Sequence, residues 1–250
     1  MTDLYYGKGL MSKKLYKQIQ TSCQFKDLPF TAAGPAPTSE QCQQILARAW
    51  KNRDHPERTA VGAHNKFDVY DNCPTDPMLR RQHQRGRAAT IQGPTGGFRW
   101  SCGQFEQIPK YFARSDVRTA LHLPQKSLSS NFDFNSSGPA SVTLYPSLIP
   151  KIRVLIYNGD ADSSVPYIGN EEWTTGMESL GVVKEKEAWH PWYLPNITSM
   201  PAGYATTYSI PGHDHEFSFV TIRLAGHEVP HYTPAPAYQV FAKFINDESL

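Results

Sequence analysis

The sequence predicts an α/β fold for the second half of the chain, in which strands and helices alternate. Two short apolar runs, residues 154–157 (VLIY) and 217–222 (FSFVTI), predict strands that are buried on both faces of a parallel sheet. A helical stretch around 171–180 separates them, and a last helix opens at Pro236. Its apolar spacing predicts a buried face made of Ala237, Val240, Phe241, Phe244 and Ile245. The order strand, helix, strand, helix is typical of the C-terminal part of an α/β sheet.

Residues 1–125 predict helices and loops instead. Three short amphipathic helices are expected, the first capped by Ser12, the second by Thr38 or Ser39, and the third starting at Ser115. In each, apolar residues recur at helical spacing and predict one buried face: Leu15, Ile19 and Cys23; then Cys42, Ile45, Leu46, Ala49 and Trp50; then Val117, Ala120 and Leu121.

The charge balance argues against nucleic acid or a membrane as a partner. Lys and Arg number 25 against 23 for Asp and Glu, which gives a net charge of +2. The chain contains no run of eighteen apolar residues, so we expect no membrane span. The one basic run, residues 80–87, precedes a stretch rich in Gly, Pro and Thr and is interpreted as a mobile surface linker.

The four cysteines, Cys23, Cys42, Cys73 and Cys102, favour disulfides over metal binding. They form no CxxC pair and no histidine pair follows at zinc-finger spacing, so we expect no metal. Two disulfides made in an oxidising compartment are the preferred interpretation, with four reduced thiols as the alternative. Two glycosylation triplets point the same way, and their acceptors are Asn135 and Asn196.

Two motifs carry chemistry-bearing residues at the ends of the two predicted strands. Asp162 follows the first strand, and His227 follows the second after a further 65 residues. Loops at the carboxyl ends of such strands are where α/β enzymes place their sites. An acid followed by a histidine fits a catalytic triad in the chain order Ser, Asp, His. In that triad the imidazole takes the serine proton and the carboxylate holds the imidazole in the required tautomer.

The residues around both motifs resemble the serine carboxypeptidase family. Residues 217–234 (FSFVTIRLAGHEVPHYTP) are similar to its histidine signature, and residues 154–166 (VLIYNGDADSSVP) to its aspartate segment. Further similar stretches are YYGKGLMSKKLYKQIQTSC at 5–23, FDVYDNC at 67–73, IPKYFARSDVRTALHL at 108–123 and AGYATTYS at 202–209. The resemblance runs from Tyr5 to the C-terminus, and it implies the C-terminal part of an α/β-hydrolase sheet preceded by a helical cap insertion.

The resemblance also implies roles for single residues. Asp162 takes the position of the catalytic acid and His227 that of the base, while Asp160 is the neighbouring acid of the turn. Glu228 takes the position that helps to shape the pocket for the departing C-terminal residue, where a carboxylate favours a basic residue. Tyr167, shortly after the aspartate, is a second candidate for substrate binding. No cofactor is expected, and the expected substrate is a peptide.

The family pattern implies a division of the chain as well. Residues 1–138 correspond to the helical cap insertion, and residues 139–250 to the C-terminal half of the hydrolase core. The disulfides implied by position are Cys23–Cys42 and Cys73–Cys102. In some members of the family a linker in the cap is excised, which suits residues 80–87.

One element of the family pattern is absent from the sequence. The GxSxG turn that carries the nucleophile does not occur, and Ser179 in the nearest imitation is interpreted as a helix-end residue. Ser130 stands where the family often has a cysteine bridged to the N-terminal region. We therefore expect the serine to come from a missing N-terminal half, and the chain alone to be inactive. The alternatives are a non-catalytic remnant or an acyltransferase; the expected location is the secretory pathway, vacuolar, lysosomal or extracellular.

Overall fold

The computed structural model describes residues 1–23, 39–50, 65–70, 108, 110–123 and 140–250. The chain forms two compact units, the first made of Met1–Asn72 with Pro139–Leu250 and the second of Cys73–Gly138. Residues 1–72 therefore group with the C-terminal part, whereas the sequence analysis assigned all of 1–138 to an insertion. That assignment stays a prediction.

The described residues include the two strands and the two helices expected for the second half, together with two strands that were not expected. The helices are α1 (Thr2–Gly7), α2 (Lys13–Ser22), α3 (Glu40–Trp50), α4 (Ser115–Ala120), α5 (Tyr145–Leu148), α6 (Tyr167–Ser179), α7 (Val229–Tyr232) and α8 (Pro234–Ile245). The strands are β1 (Val154–Gly159), β2 (Lys184–Trp192), β3 (Gly203–Ser209) and β4 (Glu216–Ile222). The predicted α/β class is confirmed.

The four strands form one mixed sheet in the order β1-β4-β3-β2. β1 and β4, the two predicted strands, are parallel neighbours that pair from Val154 with Phe217 to Gly159 with Ile222. β3 is antiparallel to both β4 and β2. β2 and β3 were not predicted from the sequence. The sequence of β2, KEKEAWHPW, contains no apolar run, and most of its positions are exposed. It is a strand because it pairs with β3.

Helices cover both faces of the sheet. On one face Val240 of α8 packs with Ala205, Val220 and Ile222 of the strands. On the other face Met177 of α6 packs with strand residues that include Tyr208 and Phe217. Side chains alternate between the faces of a strand, so adjacent residues of one strand supply both cores. The two central strands, β3 and β4, are therefore buried on both faces, as expected within an α/β sheet, whereas β2 is mostly exposed.

The predicted burial of α8 is wrong at two positions. Val240 is only 3% exposed, but Phe241 is 59% and Ile245 is 52% exposed. The helix packs on the sheet through the stripe that contains Val240, and Phe241 and Ile245, four residues apart, lie on its flank. Apolar spacing places a face on the helix, but it does not set how wide the contact with the sheet is.

The helix pair α2 and α3 is confirmed. Ser12 accepts a hydrogen bond from the amide of Leu15 at 3.3 Å, and Ser39 accepts one from the amide of Cys42 at 3.1 Å, so each serine caps its helix. A disulfide joins Cys23 and Cys42, the pair that the resemblance implied. The two helices bury a common cluster of apolar residues, which includes Leu15, Ile19, Cys42 and Ala49.

In the second unit, α4 begins at Ser115 as predicted, but its buried face differs from the expected one. Val117 is buried, whereas Ala120 and Leu121 are exposed. Arg118 is buried instead, at 4% exposure, and its guanidinium donates to the carbonyl oxygen of Phe112 at 3.3 Å. A helix of six residues is too short for apolar spacing to fix which side faces the interior.

Several predictions fall on parts of the chain outside the described residues. These are the pair Cys73–Cys102, the basic run 80–87, the substitution at Ser130 and the acceptor Asn135. Among the helices that the structure describes, none combines the length and apolarity needed to cross a lipid bilayer.

Candidate active site

The candidate site lies at the carboxyl ends of the two parallel strands. Gly159 of β1 pairs with Ile222 of β4, so the loops that follow these residues leave the sheet at the same edge. Asp162 lies on the first loop and His227 on the second. The His227 Nδ1–H donates to Asp162 Oδ2 at 2.8 Å, so the structure brings the two predicted side chains together.

The Asp162 carboxylate is buried and held by three donors. Its side chain is 3% exposed. Oδ1 accepts from the amides of Ser164 at 2.7 Å and Val165 at 3.2 Å, and Oδ2 accepts from His227. An aspartate whose side chain binds amides two and three residues onward closes a turn, which fixes the carboxylate plane. The oxygen left over by that turn is the one that meets the imidazole.

The His227 imidazole is accessible on the side away from the carboxylate, with 40% of the side chain exposed. Because an ionised carboxylate can only accept, Nδ1 carries the proton of this contact and Nε2 of the neutral ring is left as an acceptor. The residue is also fixed through its backbone, since the His227 amide donates to the Phe67 carbonyl oxygen at 2.7 Å. The centroids of the Phe67 ring and the His227 imidazole are 5.3 Å apart, and the two rings are tilted relative to each other.

Residues 65–70 link the two loops of the site. Besides the bond from His227 to Phe67, the Ser163 amide and hydroxyl both donate to the carbonyl oxygen of Lys66, at 3.0 and 2.7 Å. The Val69 amide donates to the carbonyl oxygen of Ala161 at 3.0 Å. Sequence reasoning missed this support, because Lys66 and Ser163 are 97 residues apart and backbone contacts leave no signature in residue types.

The N-terminal residues hold the aspartate loop from a second direction. The Tyr5 hydroxyl donates to Ser163 Oγ at 3.1 Å, and Lys8 Nζ lies 3.8 Å from Asp160 Oδ2. Asp160 Oδ1 accepts from the Leu224 amide at 2.7 Å, so this carboxylate ties the first loop to the end of β4. Burial raises the pKa of Asp160, and Lys8 opposes that change. Asp160 thus acts within the turn and makes no contact with His227 among those described.

A cavity of about 240 Å³ opens beside the Asp162–His227 pair. Its lining includes Tyr157 and two amides, Asn158 and Asn170, that sequence reasoning did not single out. Asn158 immediately precedes Gly159, the last residue of β1, and Asn170 lies in the first turn of α6. An asparagine four residues before the candidate acid Asp162 is a signal that could have been followed in the sequence.

Tyr167 and Glu228, the two residues predicted to bind substrate, do not line that cavity in the described structure. Tyr167 is half-buried at the start of α6, and burial raises its pKa. Glu228 is exposed, and its carbonyl oxygen accepts from the amides of His231 and Tyr232 at 2.8 and 3.2 Å, which starts α7. Their roles toward substrate stay predictions.

Three further sequence features have a place in the structure. Ser179 ends α6 and is exposed, in agreement with its interpretation as a helix-end residue. Asn196 is exposed in a turn between Leu194 and Ile197, so the predicted glycosylation acceptor is accessible. In the described parts of the chain, no three His, Cys, Asp or Glu side chains cluster as a metal ion would need.

An acid and a histidine joined at the carboxyl edge of such a sheet are typical of α/β-hydrolases. A family model described as serine carboxypeptidase matches residues 1–247, and the chain belongs to this family. The resemblance inferred from the motifs is thereby confirmed.

Curated relatives support the same family. The chain is 25% identical to serine carboxypeptidase 1 of Hordeum vulgare, over 98% of this chain and 52% of that protein. Its identity with serine carboxypeptidase-like 25 of Arabidopsis thaliana is 31%, over 98% of this chain and 50% of that protein. The chain thus spans about half the length of these curated relatives.

A solved structure shares the fold. It is Kex1(Δ)p, a prohormone-processing carboxypeptidase from Saccharomyces cerevisiae, with a TM-score of 0.51 and 16% identity. The match covers 97% of this chain and 50% of the Kex1(Δ)p chain.

Proposed function

We propose that this chain supplies the acid and the base of a serine-type carboxypeptidase, an enzyme that releases C-terminal residues from peptides. The observation that carries the proposal is the 2.8 Å hydrogen bond from His227 Nδ1 to Asp162 Oδ2 at the shared edge of two parallel strands. Membership of the serine carboxypeptidase family supports the reaction class. Asp162 is the orienting acid, and His227 is the base that exchanges protons with the substrate and the nucleophile.

The chemistry follows from the free Nε2 of the imidazole. As a serine hydroxyl attacks the scissile carbonyl carbon, Nε2 takes its proton, and Asp162 stabilises the resulting imidazolium. The imidazolium then gives the proton to the departing amine, and an acyl-enzyme remains. A water molecule, deprotonated by the same nitrogen, hydrolyses the acyl-enzyme and releases the shortened peptide.

The nucleophile of this proposal lies outside the 250 residues. The sequence contains no GxSxG, and Ser179 sits at the far end of α6. With a rise of about 1.5 Å per residue, that helix carries Ser179 roughly 18 Å from its first residue beside the site. We therefore propose a nucleophile-bearing partner segment that completes the triad, and the half-length coverage of the relatives supports this.

The free edge of β1 is the proposed docking place for that segment. In the described sheet β1 pairs only with β4, so its other edge has unpaired backbone groups. An apolar groove of about 480 Å³ lies alongside, between β1 and α8, and Tyr157 borders both this groove and the cavity at the site. A strand added parallel to β1 would end at the same edge as β1, where a serine on its terminal turn reaches His227.

The disulfide between Cys23 and Cys42 supports a place in the secretory pathway, since such bonds form in oxidising compartments. The exposed Asn196 supports the same proposal as a glycosylation acceptor. Vacuolar, lysosomal and extracellular sites all meet this requirement.

Labelling with a fluorophosphonate probe tests the proposal. The tagged chain is purified from its native source under non-denaturing conditions, treated with the probe and assayed with a blocked dipeptide. We expect the label on a serine outside the 250 residues, together with release of the C-terminal residue. His227→Ala and Asp162→Ala are expected to abolish both signals, since triad members act as a unit and lose on the order of 10⁴- to 10⁶-fold in rate.

His213→Ala is the matched control, because His213 is an exposed histidine outside the site. It is expected to leave labelling and release unchanged. A labelled serine within the 250 residues would overturn the partner-segment proposal. Labelling without peptide release would favour an acyltransferase or esterase, and no labelling of any associated polypeptide would favour a non-catalytic remnant.

A further inference from the structure

A chain of three side-chain hydrogen bonds joins α6 to the loop that carries Asp162. Trp173 Nε1 donates to Asn170 Oδ1 at 2.6 Å, and Asn170 Nδ2 donates to Asn158 Oδ1 at 2.7 Å. Asn158 Nδ2 then donates to the carbonyl oxygen of Val165 at 3.1 Å. We propose that Asn158 and Asn170 are positioning residues that hold the Asp162 carboxylate in the orientation that meets His227.

The indole of Trp173 fixes the donor-to-acceptor direction of these three hydrogen bonds. Because an indole nitrogen can only donate, Asn170 has to turn its carbonyl oxygen toward Trp173 and its amino group toward Asn158. Asn158 must then present its carbonyl oxygen to Asn170, which leaves its amino group for Val165. Only one arrangement of both amides satisfies all three contacts, and it ends with a donor at the aspartate loop.

Val165 connects the chain to the carboxylate. Its carbonyl oxygen accepts from Asn158, and its amide donates to Asp162 Oδ1 at 3.2 Å. The Ser164 amide also donates to Oδ1, so this oxygen is held from one side and Oδ2 is turned toward His227. Among the hydrogen bonds of the described residues, the other one made by Val165 goes to the carboxylate itself, so the bond from Asn158 is the one that ties Val165 to a group outside its own turn.

The Trp173 end of this series of hydrogen bonds is anchored in the core. The Trp173 ring lies 4.7 Å from the Tyr145 ring and 6.2 Å from that of Phe217, in the cluster that packs α6 on the sheet. Trp173 and Asn170 are three residues apart and share one face of α6. At the other end, Asn158 is only 7% exposed, so water competes little for its amide. The hydrogen bonds thereby connect the packed position of α6 to the loop that carries Asp162.

The inference rests on the proposed roles of Asp162 and His227, but its test needs no catalysis. The intact chain, labelled with ¹⁵N in its histidines, gives the Nδ1 proton resonance of His227 and its rate of exchange with water. Trp173→Phe removes the first donor and keeps an aromatic ring, and Asn170→Ala removes the middle of the chain. Trp192→Phe is the matched control, because it removes an indole donor whose acceptor is the Thr221 carbonyl oxygen.

Exchange of the His227 Nδ1 proton is expected to become about fivefold faster in Trp173→Phe and in Asn170→Ala, as for the loss of one net hydrogen bond. Trp192→Phe is expected to exchange as the unmodified chain does. Unchanged exchange in Trp173→Phe would overturn the positioning role, and this conservative variant decides the matter if Asn170→Ala does not fold.

Asp162→Ala separates this inference from the proposed function. It removes the acceptor itself, so the slowly exchanging Nδ1 proton is expected to disappear. A signal that persists in Asp162→Ala would mean that the Asp162–His227 bond is absent in solution, which contradicts the proposed function. A signal lost in Asp162→Ala and unaltered in Trp173→Phe would contradict the positioning role alone.

Discussion

At the residue scale, two glycines allow the loops of the site to approach each other. A Cβ on Gly159 would lie 2.1 Å from the carbonyl oxygen of Ala225, and one on Gly226 would lie 2.2 Å from that of Phe67. Both distances are far below van der Waals contact, and both neighbours are backbone atoms that cannot move aside. The contact between Asp162 and His227 therefore depends on residues that lack a side chain.

Replacing Gly226 with alanine is expected to destabilise the fold by about 1–3 kcal/mol, the usual cost of overpacking. Gly176→Ala is the control, since this glycine lies within α6 with open space around it. There the change is expected to stabilise by roughly 0.5–1 kcal/mol, because alanine favours a helix. Urea unfolding measures both free energies, and equal stability of the two variants would contradict the close-approach argument.

The carboxylate of Asp160 makes stability depend on pH. Burial raises its pKa above the ordinary value of 3.8, so the folded chain binds this proton more tightly than the unfolded chain. The contribution of Asp160 to stability is therefore complete below 3.8 and falls as pH rises through the raised pKa. Urea unfolding across this range should show that decline relative to Asp160→Asn, which does not titrate. Parallel curves for the two proteins would contradict it.

At the scale of elements, the disulfide joins two helices whose apolar faces were already readable in the sequence. Cys23 and Cys42 belong to the cluster that α2 and α3 bury together. The cross-link restricts the unfolded chain, while the packed faces stabilise the folded one. The two contributions can be separated by removing the sulfur atoms.

Replacing Cys23 and Cys42 together with alanine is expected to lower the free energy of unfolding by about 3 kcal/mol, the chain-entropy value for a loop of this size. The two cysteines are 19 residues apart. Urea unfolding without reductant measures the loss. Reductant added to the double variant serves as a further comparison, because any additional loss would report the predicted Cys73–Cys102 bridge. A double variant as stable as the unmodified chain would contradict the expectation.

At the scale of the whole molecule, helices pack on both faces of the described sheet, and no described strand pairs with the outer edge of β1. Tyr157, Tyr238, Phe241 and Ile245 are exposed by 46, 72, 59 and 52%, respectively, and lie together around the apolar groove. Exposed apolar patches beside an open strand edge favour association with other chains. The proposed nucleophile-bearing segment would cover this surface, and in its absence we expect the isolated chain to self-associate through it.

Replacing both Phe241 and Ile245 with lysine is expected to shift the isolated chain toward monomers, because like charges then line the groove. In complex with the nucleophile-bearing segment, the same double variant should weaken binding at least tenfold, since it removes two apolar anchors from the contact. Met200→Lys is the control, as Met200 is also exposed but lies outside the groove. Sedimentation velocity measures association, and unchanged self-association in the double variant would contradict the role of this surface.

The features that the sequence predicted are those carried by local pattern. The apolar runs of β1 and β4, the serine caps of α2 and α3, and the placement of Asp162 and His227 after parallel strands each follow from neighbouring residues. Because parallel neighbours end at one edge of a sheet, the pattern also predicted that the acid and the histidine would meet. The resemblance of the same segments to a family added their roles.

Only the tertiary structure decided what depends on partners distant in the chain. β2 is a strand because β3 pairs with it, and the flank of α8 stays exposed because the described sheet ends at β1. The support from Phe67 and the hydrogen bonds from Trp173 to Val165 depend on contacts that residue types do not encode. A sequence pattern records which face of an element is apolar, whereas hydrogen bonding and burial are settled only when another segment arrives.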